Sequence, residues 1–288
     1  MKSRFLPAFL IVFLDMHRSL VSAIIAATLF LACRKDAQVL KVDNLSGGKI
    51  YAFGHGGMGI KSLYPIDSYA SLSEALLSGA DGTEMDVQLS ADSVLFLYHA
   101  SDLAESSKCS GKIRHSSSSE INCEYTSIFH KGLSICKLED FLSGAGKDTS
   151  KILTFECKSY DLEAKDYGTY VRALSAIVEK HHLQNRLLLE SIIPDFLLMV
   201  NQEMPPVRTF LYAEDVSWAI RTADSLNFYG VTFDLNRVNK PIVKEAHARN
   251  LRVTLFNQKN RADNKRTLEL SPDFIQTDAL KDLVELLN

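Results

Sequence analysis

The sequence predicts an α/β protein built on a TIM (β/α)8 barrel, and three observations lead to this fold class. The chain has 288 residues, which is enough for a barrel of roughly 250 residues. From residue 49 onward, short β-rich runs alternate with longer amphipathic runs, as in repeated βα units around a parallel sheet. The run Leu187-Leu188-Leu189 is continuously apolar, as is typical of a parallel strand covered on both faces. An open doubly wound sheet is the alternative, but no Gly-rich nucleotide loop follows the first predicted strand.

The alternation predicts the elements in order along the chain. Strands are expected at residues 49–53, 83–89, 94–98, 152–155, 186–189, 208–212, 230–233, 252–256 and 274–276. Helices are expected at residues 68–78, 138–142, 166–182, 195–201, 215–225, 240–250, 265–270 and 280–287. A single barrel domain over residues 49–288 follows, with a linker at 34–48. A polar, serine-rich insertion near 103–132 is expected to be an exposed loop over one face of the barrel.

The N-terminal 33 residues do not fit this pattern and predict export. His17 and Arg18 precede an apolar run that ends in Phe30-Leu31-Ala32-Cys33, which looks like a bacterial lipoprotein signal. Cys33 is then the expected lipidation site, and the mature protein would be anchored to a membrane by lipid, in the periplasm, on the outer membrane or at the cell surface. An earlier apolar run at residues 5–14 is cut by Asp15, so translation is expected to start at Met16; an uncleaved anchor spanning both apolar runs is the alternative.

The other four cysteines fall into two pairs. Cys109 and Cys123 lie in one polar segment and could form a disulfide in an exported protein, or could stay as free thiols. Cys136 and Cys157 lie in apolar surroundings and are expected to be buried.

Charge and composition narrow the class of partner. The formal charge is −3 and the hydrophobic fraction is 46%, which is ordinary for a globular protein. No basic stripe is present, so a nucleic-acid partner is not expected. The slightly acidic, near-neutral charge agrees with a protein that binds a small substrate in a cleft.

Polar residues follow several predicted strands at the end where a TIM barrel carries its active site. His55 follows the first strand, and Glu84 and Asp86 alternate on one side of the second. His99 closes the next strand, and a later strand carries Glu156-Cys157-Lys158. Carboxylates that point into a barrel repel one another unless a hard divalent cation or donors satisfy them. Taken singly, each of these residues could be structural, and Glu156 with Lys158 could be a plain ion pair.

Together these motifs resemble the glycerophosphodiester phosphodiesterase family over residues 50 to 288. The resemblance rests on His55-Gly56-Gly57, Glu84-Met85-Asp86, His99-Ala100, Glu156-Cys157-Lys158 and the terminal Gln276-Thr277-Asp278. It implies a barrel of the PLC-like phosphodiesterase type that hydrolyses glycerophosphodiesters to glycerol 3-phosphate and an alcohol. It also implies Glu84, Asp86 and Glu156 as ligands of Ca²⁺ or Mg²⁺. His55 and His99 would be the general base and general acid, in an order left open, and Lys158 would contact phosphate.

Three departures from the family pattern leave other functions open. Gly56 replaces an arginine, and Ala100 replaces an aspartate near Asp102. Residues 66–68 replace Glu-Asn-Thr, where Asp67 or Ser68 could take over part of the role. The alternatives are a phosphodiesterase that acts on phospholipid or another phosphodiester, and a lipid-tethered protein that binds phosphorylated ligands without turnover.

Overall fold

Eight parallel strands close into a barrel, because β1 pairs with β2 on one side and with β10 on the other. A computed structural model of the chain describes residues 42–288, and the predicted signal segment with Cys33 lies outside them. The barrel strands are β1 (Tyr51–Gly54), β2 (Gly82–Leu89), β5 (Ile152–Cys157), β6 (Leu187–Ser191), β7 (Arg208–Tyr212), β8 (Gly230–Asp234), β9 (Arg252–Gln258) and β10 (Phe274–Thr277). This closure confirms the TIM barrel and excludes the open sheet.

In the part of the chain that the structure describes, eight α-helices accompany the strands near the positions the sequence predicts. They are α1 (Tyr69–Leu77), α2 (Leu138–Ser143), α3 (Ala164–Lys180), α4 (Pro194–Glu203), α5 (Val216–Ser225), α6 (Lys240–Ala248), α7 (Arg261–Leu270) and α8 (Leu280–Leu287). Helix α7 begins four residues before its predicted start, because the Asn260 side chain accepts a hydrogen bond from Asp263 N and caps it. Within residues 42–288, no helix has the length and apolar character needed to cross a membrane.

The strand predicted at 94–98 exists, but the expectation that it is a barrel strand is wrong. Strand β3 (Leu95–Leu97) runs antiparallel to β2, and β4 (Cys136–Lys137) runs antiparallel to β3. The connection from β2 to β3 is too short for a crossover, which needs about a dozen residues. His99 therefore follows a hairpin strand instead of a barrel strand.

The insertion after β3 packs with that strand into a small apolar core, so the prediction of a simple exposed loop is incomplete. Its buried residues are Phe96, Tyr98, Ala100, Leu103, Ile113, Ile121, Cys123, Tyr125 and Ile135. A disulfide joins Cys109 to Cys123, which resolves the alternative that the sequence left open. Cys136 and Cys157 are buried free thiols, as predicted.

The barrel interior is apolar at one end and polar at the other. Phe53, Leu188, Phe210 and Phe274 pack together near the N-terminal ends of the strands. Buried acidic residues occupy the opposite end. The apolar layer closes the floor of the barrel and leaves the C-terminal ends of the strands for chemistry.

Candidate active site

The loop after β1 carries His55 at the mouth of the barrel. His55 Nδ1 lies 2.8 Å from Asp278 Oδ1, just after β10, and the same oxygen accepts a hydrogen bond from Ile60 N. Burial lowers the pKa of His55, but the hydrogen bond to Asp278 and the nearby charge of Glu84 raise it more, to about 9. Asp278 thus occupies Nδ1 and leaves Nε2 as the ring nitrogen available for proton transfer.

Three carboxylates meet beside this loop. Glu84 and Asp86 share one side of β2, as the alternation predicts, and Asp86 is in register with Glu156 of β5. One oxygen from each of the three lies within 4.8 Å of the others. Glu84 and Asp86 are almost fully buried. Burial and the neighbouring Asp86 raise the pKa of Glu84 well above its ordinary value.

Lys158 lies among these carboxylates. Its Nζ is 2.7 Å from Glu156 Oε1 and 2.8 Å from Asp86 Oδ1. Burial lowers the pKa of Lys158, but Asp86 and Glu156 outweigh burial and raise it well above its ordinary value. Burial conversely raises the pKa of Asp86, yet Lys158 and His99 bring it down to about 2. Lys158 is therefore positively charged and offsets part of the acidic cluster.

His99 comes to the same end of the barrel from the hairpin. Its side chain is exposed, and its backbone carbonyl accepts a hydrogen bond from Tyr160 Oη at 3.2 Å. The preceding residue, Tyr98, donates its backbone N–H to the carbonyl oxygen of Asp86 at 3.0 Å, which brings His99 close to the carboxylates. The two histidines thus differ, because His55 is fixed by Asp278 whereas His99 stands on an exposed loop.

Two further acidic residues, Asp67 and Glu190, belong to this polar end. Asp67 is fully buried with φ 61°, and its Oδ1 accepts a hydrogen bond from Asp86 N at 3.0 Å. Burial and the charge of Asp86 raise the pKa of Asp67 well above its ordinary value. The sequence suggested that Asp67 or Ser68 takes over part of the role of the family's Glu-Asn-Thr. The Ser68 side chain instead caps helix α1 by accepting a hydrogen bond from Ser71 N.

Glu190 is the functional-site residue that the sequence prediction missed. It is in register with Glu156 and accepts hydrogen bonds from Thr232 Oγ1 and Gln276 Nε2. Burial raises its pKa to about 7. The predicted strand stopped one residue earlier, at Leu189; a search of each strand end for polar residues would have included Glu190.

Comparisons with known proteins agree with this arrangement of residues. The sequence model of the "Glycerophosphoryl diester phosphodiesterase family" matches residues 58–281. The chain belongs to this family. A glycerophosphodiester phosphodiesterase of Bacillus altitudinis is 24% identical over 228 residues, which is 76% of this chain and 91% of that protein.

Solved structures of the same family share the fold. A glycerophosphodiester phosphodiesterase from Parabacteroides distasonis superposes with a TM-score of 0.73 at 22% identity, covering 83% of this chain and 96% of that one. A phosphodiesterase from Oleispira antarctica, solved with the product sn-glycerol-3-phosphate, has a TM-score of 0.71 at 18% identity. That comparison covers 81% of this chain and 94% of the Oleispira chain.

The glycine that replaces the family's arginine has a structural explanation in this phosphodiesterase. A Cβ added at Gly56 would lie 1.9 Å from Ile66 Cγ1, so Ile66 occupies the space that a side chain would need. Ile66 itself stands where the family has a glutamate. The two departures are therefore one coupled change beside His55.

Ala100, which replaces the family's aspartate, has a structural role in the insertion. The Ala100 carbonyl accepts a hydrogen bond from Gln88 Nε2 at 2.9 Å, and its methyl group belongs to the core of the insertion. Asp102, which the sequence suggested as a replacement carboxylate, caps a short helical turn through Ala104 N. Asp102 is thus engaged in local structure.

The acidic cluster fits the divalent cation that is general in this phosphodiesterase family. Glu84 Oε1 and Asp86 Oδ2 are buried oxygens with no hydrogen-bond partner among the described residues. Leaving buried carboxylate oxygens unpaired is costly, and a cation with oxygen ligands removes that cost. Glu84, Asp86 and Glu156 are the residues that would hold it.

Proposed function

We propose that this protein hydrolyses glycerophosphodiesters to glycerol 3-phosphate and an alcohol, with Ca²⁺ or Mg²⁺ held by Glu84, Asp86 and Glu156. The observation that carries the proposal is the placement of His55, fixed by Asp278, beside three clustered carboxylates. A bound cation supplies positive charge to the phosphoryl oxygens. Lys158 adds a second positive charge at the same place.

The two histidines move the protons of the reaction. His55 presents Nε2 to the site because Asp278 holds Nδ1, and His99 reaches the site from the exposed hairpin loop. One of them takes the proton of the attacking water, and the other gives a proton to the leaving alkoxide. Glycerol 3-phosphate is the product because the ester bond to the alcohol is the one that breaks.

The test is release of glycerol 3-phosphate from glycerophosphocholine by the purified protein. Activity should disappear with EDTA and return with Ca²⁺ or Mg²⁺. His55→Ala and His99→Ala should each lower kcat by about 10²–10⁴-fold without changing the far-UV circular dichroism. Undiminished release in both variants would contradict the proposal. Lack of turnover with every metal would favour the binding protein that the sequence left as an alternative.

A second candidate substrate is a phosphodiester that carries an acyl chain, and an exposed apolar rim favours it. Ile60, Leu63, Ile128 and Phe129 are each more than half exposed. Leu63, Ile128 and Phe129 line a groove of about 290 Å³ together with Ile66, whose side chain abuts Gly56 beside His55. Exposed apolar patches mark sites for ligands, membranes or protein partners, and an acyl chain is the ligand of this kind that a phosphodiester substrate can carry.

Lysophosphatidylcholine separates this candidate from the first. If the acyl chain binds the rim, Ile128→Ser with Phe129→Ser should raise KM for lysophosphatidylcholine and leave glycerophosphocholine hydrolysis unchanged. Ile192→Ser is the matched control, because Ile192 is about half exposed and lies after β6, outside the groove. Rapid cleavage confined to glycerophosphocholine would exclude the acyl-bearing substrate.

We also propose that the protein is exported and tethered to a membrane by lipid at Cys33. The disulfide between Cys109 and Cys123 supports export, because such bonds persist in oxidising compartments. Labelling cells with radioactive palmitate tests the tether. The wild-type protein should incorporate label and Cys33→Ala should not; equal labelling of the two would contradict it.

A further inference from the structure

A second cavity lies at the opposite end of the barrel from the active site. It has a volume of about 620 Å³ and opens at the N-terminal ends of β7, β8 and β9. Its lining includes Arg208, the first residue of β7, and Arg252, the first residue of β9. Tyr229 lies between them, immediately before β8. The reaction proposed above uses none of these residues.

The charges around this cavity have the opposite sign to the chain as a whole. Its lining holds three arginines and one aspartate, whereas the complete chain carries −3. Arg249 is paired with Asp224 at 2.9 Å. Among residues 42–288, neither Arg208 nor Arg252 has a carboxylate within ion-pair distance. Two positive charges are thus uncompensated in the cavity.

The two free guanidinium groups are held in place by one aromatic ring. The Cζ atom of Arg252 is 4.2 Å from the centroid of the Tyr229 ring, and that of Arg208 is 5.2 Å from it. Tyr229 in turn packs against Phe210 of the barrel floor, with ring centroids 5.6 Å apart. Stacking on a ring orders a guanidinium while its N–H groups stay available to a ligand.

From these contacts we infer that the cavity is a binding site for an anion of the phosphate class, contacted by Arg208 and Arg252. Both guanidinium groups lie close to the same ring and neither has a carboxylate partner among residues 42–288, so a bound anion would offset their charge. Phosphate suits the site because a guanidinium donates two parallel hydrogen bonds to its oxygens. The anion can be a free phosphate or the headgroup of an anionic lipid, since both present the same oxygens.

Chemical protection of the wild-type protein tests the site without a variant. Phenylglyoxal modifies accessible guanidinium groups, and peptide mass spectrometry reports each arginine separately. Inorganic phosphate at about ten times its Kd should slow modification of Arg208 and Arg252 about tenfold, since only the empty site reacts. Arg221, an exposed residue of α5, is the internal control, and chloride at equal ionic strength controls for screening. If each of the three arginines is modified as fast in phosphate as in chloride, the result would count against a free-anion site.

Vesicles distinguish the two sources of the anion. Flotation with phosphatidylglycerol-containing vesicles is compared with flotation on phosphatidylcholine alone, for wild type, Arg208→Gln and Arg221→Gln. Loss of the phosphatidylglycerol-dependent binding in Arg208→Gln alone assigns a lipid headgroup. Protection by phosphate without such vesicle binding assigns a free anion. If phosphate gives no protection and vesicle binding does not depend on Arg208, the inference is overturned.

Discussion

His55 illustrates how a single residue is tuned by a partner more than two hundred positions away in the chain. Burial opposes its protonation, whereas the hydrogen bond to Asp278 and the charge of Glu84 favour it. The favourable interactions dominate, and the pKa rises to about 9. Asp278 is therefore a positioning residue that also sets the pH at which His55 changes charge.

Replacing Asp278 should move the pH profile of the enzyme. In Asp278→Asn the amide carries no charge, so the pKa of His55 should fall. The limb of the kcat/KM profile that reports His55 should then shift to lower pH, together with a fall in kcat from the loss of orientation. Asp102→Asn, which removes a carboxylate that only caps a turn, should leave the profile in place. A lower rate with an unshifted profile would make Asp278 merely structural.

Restoring the family's arginine at position 56 should fail unless Ile66 is also changed. Because a Cβ there collides with Ile66, Gly56→Arg should cost about 1–3 kcal/mol of unfolding free energy in urea. Ile66→Ala in the same chain should recover part of that loss, giving a coupling energy above about 0.5 kcal/mol. Gly47→Arg is the matched control, since Gly47 also has a positive φ but has no atom within 4 Å of its Cβ position. Additive effects of the two substitutions would refute the coupling.

At the scale of elements, the sequence identifies which residues form each strand, but it does not directly identify the strand that pairs with it in the sheet. Apolar alternation correctly marks residues 94–98 as a strand, yet alternation is the same for parallel and antiparallel pairing. The short connection after β2 carries that information, because it leaves no room for a crossover helix. The core of the insertion left only a short signal, the alternating run Ile121-Asn122-Cys123-Glu124-Tyr125, whose apolar members are buried.

The disulfide should hold this insertion together. It closes a loop with a sequence separation of 14 residues, which corresponds to a stabilisation of up to about 3 kcal/mol. Replacing Cys109 and Cys123 by serine should speed proteolysis within residues 103–132 while the barrel remains resistant. Dithiothreitol should reproduce this effect in the wild type and have none in the double variant. Equal cleavage in reduced and oxidised protein would show that the small apolar core suffices alone.

For the whole molecule, the barrel could be predicted because the alternation of strand and helix repeats eight times. The complete set of acidic residues at the C-terminal ends of the strands was not predicted. Glu84, Asp86 and Glu156 come together because β2 and β5 are neighbours in register. Glu190 joins them because β6 is the next in-register neighbour of β5. Asp278 joins them through closure of the barrel, which pairs β10 with β1 and β1 with β2. Contacts of this kind join strands that are far apart in the sequence, and the alternation within one strand does not identify its neighbours in the sheet.

The carboxylates that β2 and β5 bring together predict that a divalent cation stabilises the entire fold. Three carboxylates meet at one end of the barrel, and Lys158 offsets only part of their charge, so a cation that binds there must favour the folded state. At about 100 times its Kd, Ca²⁺ or Mg²⁺ should add about 2.7 kcal/mol and raise Tm by about 5–10 °C. Differential scanning calorimetry in EDTA and in metal measures this without any substrate. Glu84→Gln should lose the increment because a ligand is gone, whereas Glu203→Gln, an exposed change on α4, should keep it. An equal increment in both variants would place the cation elsewhere and remove the physical reason for burying three carboxylates in one cluster.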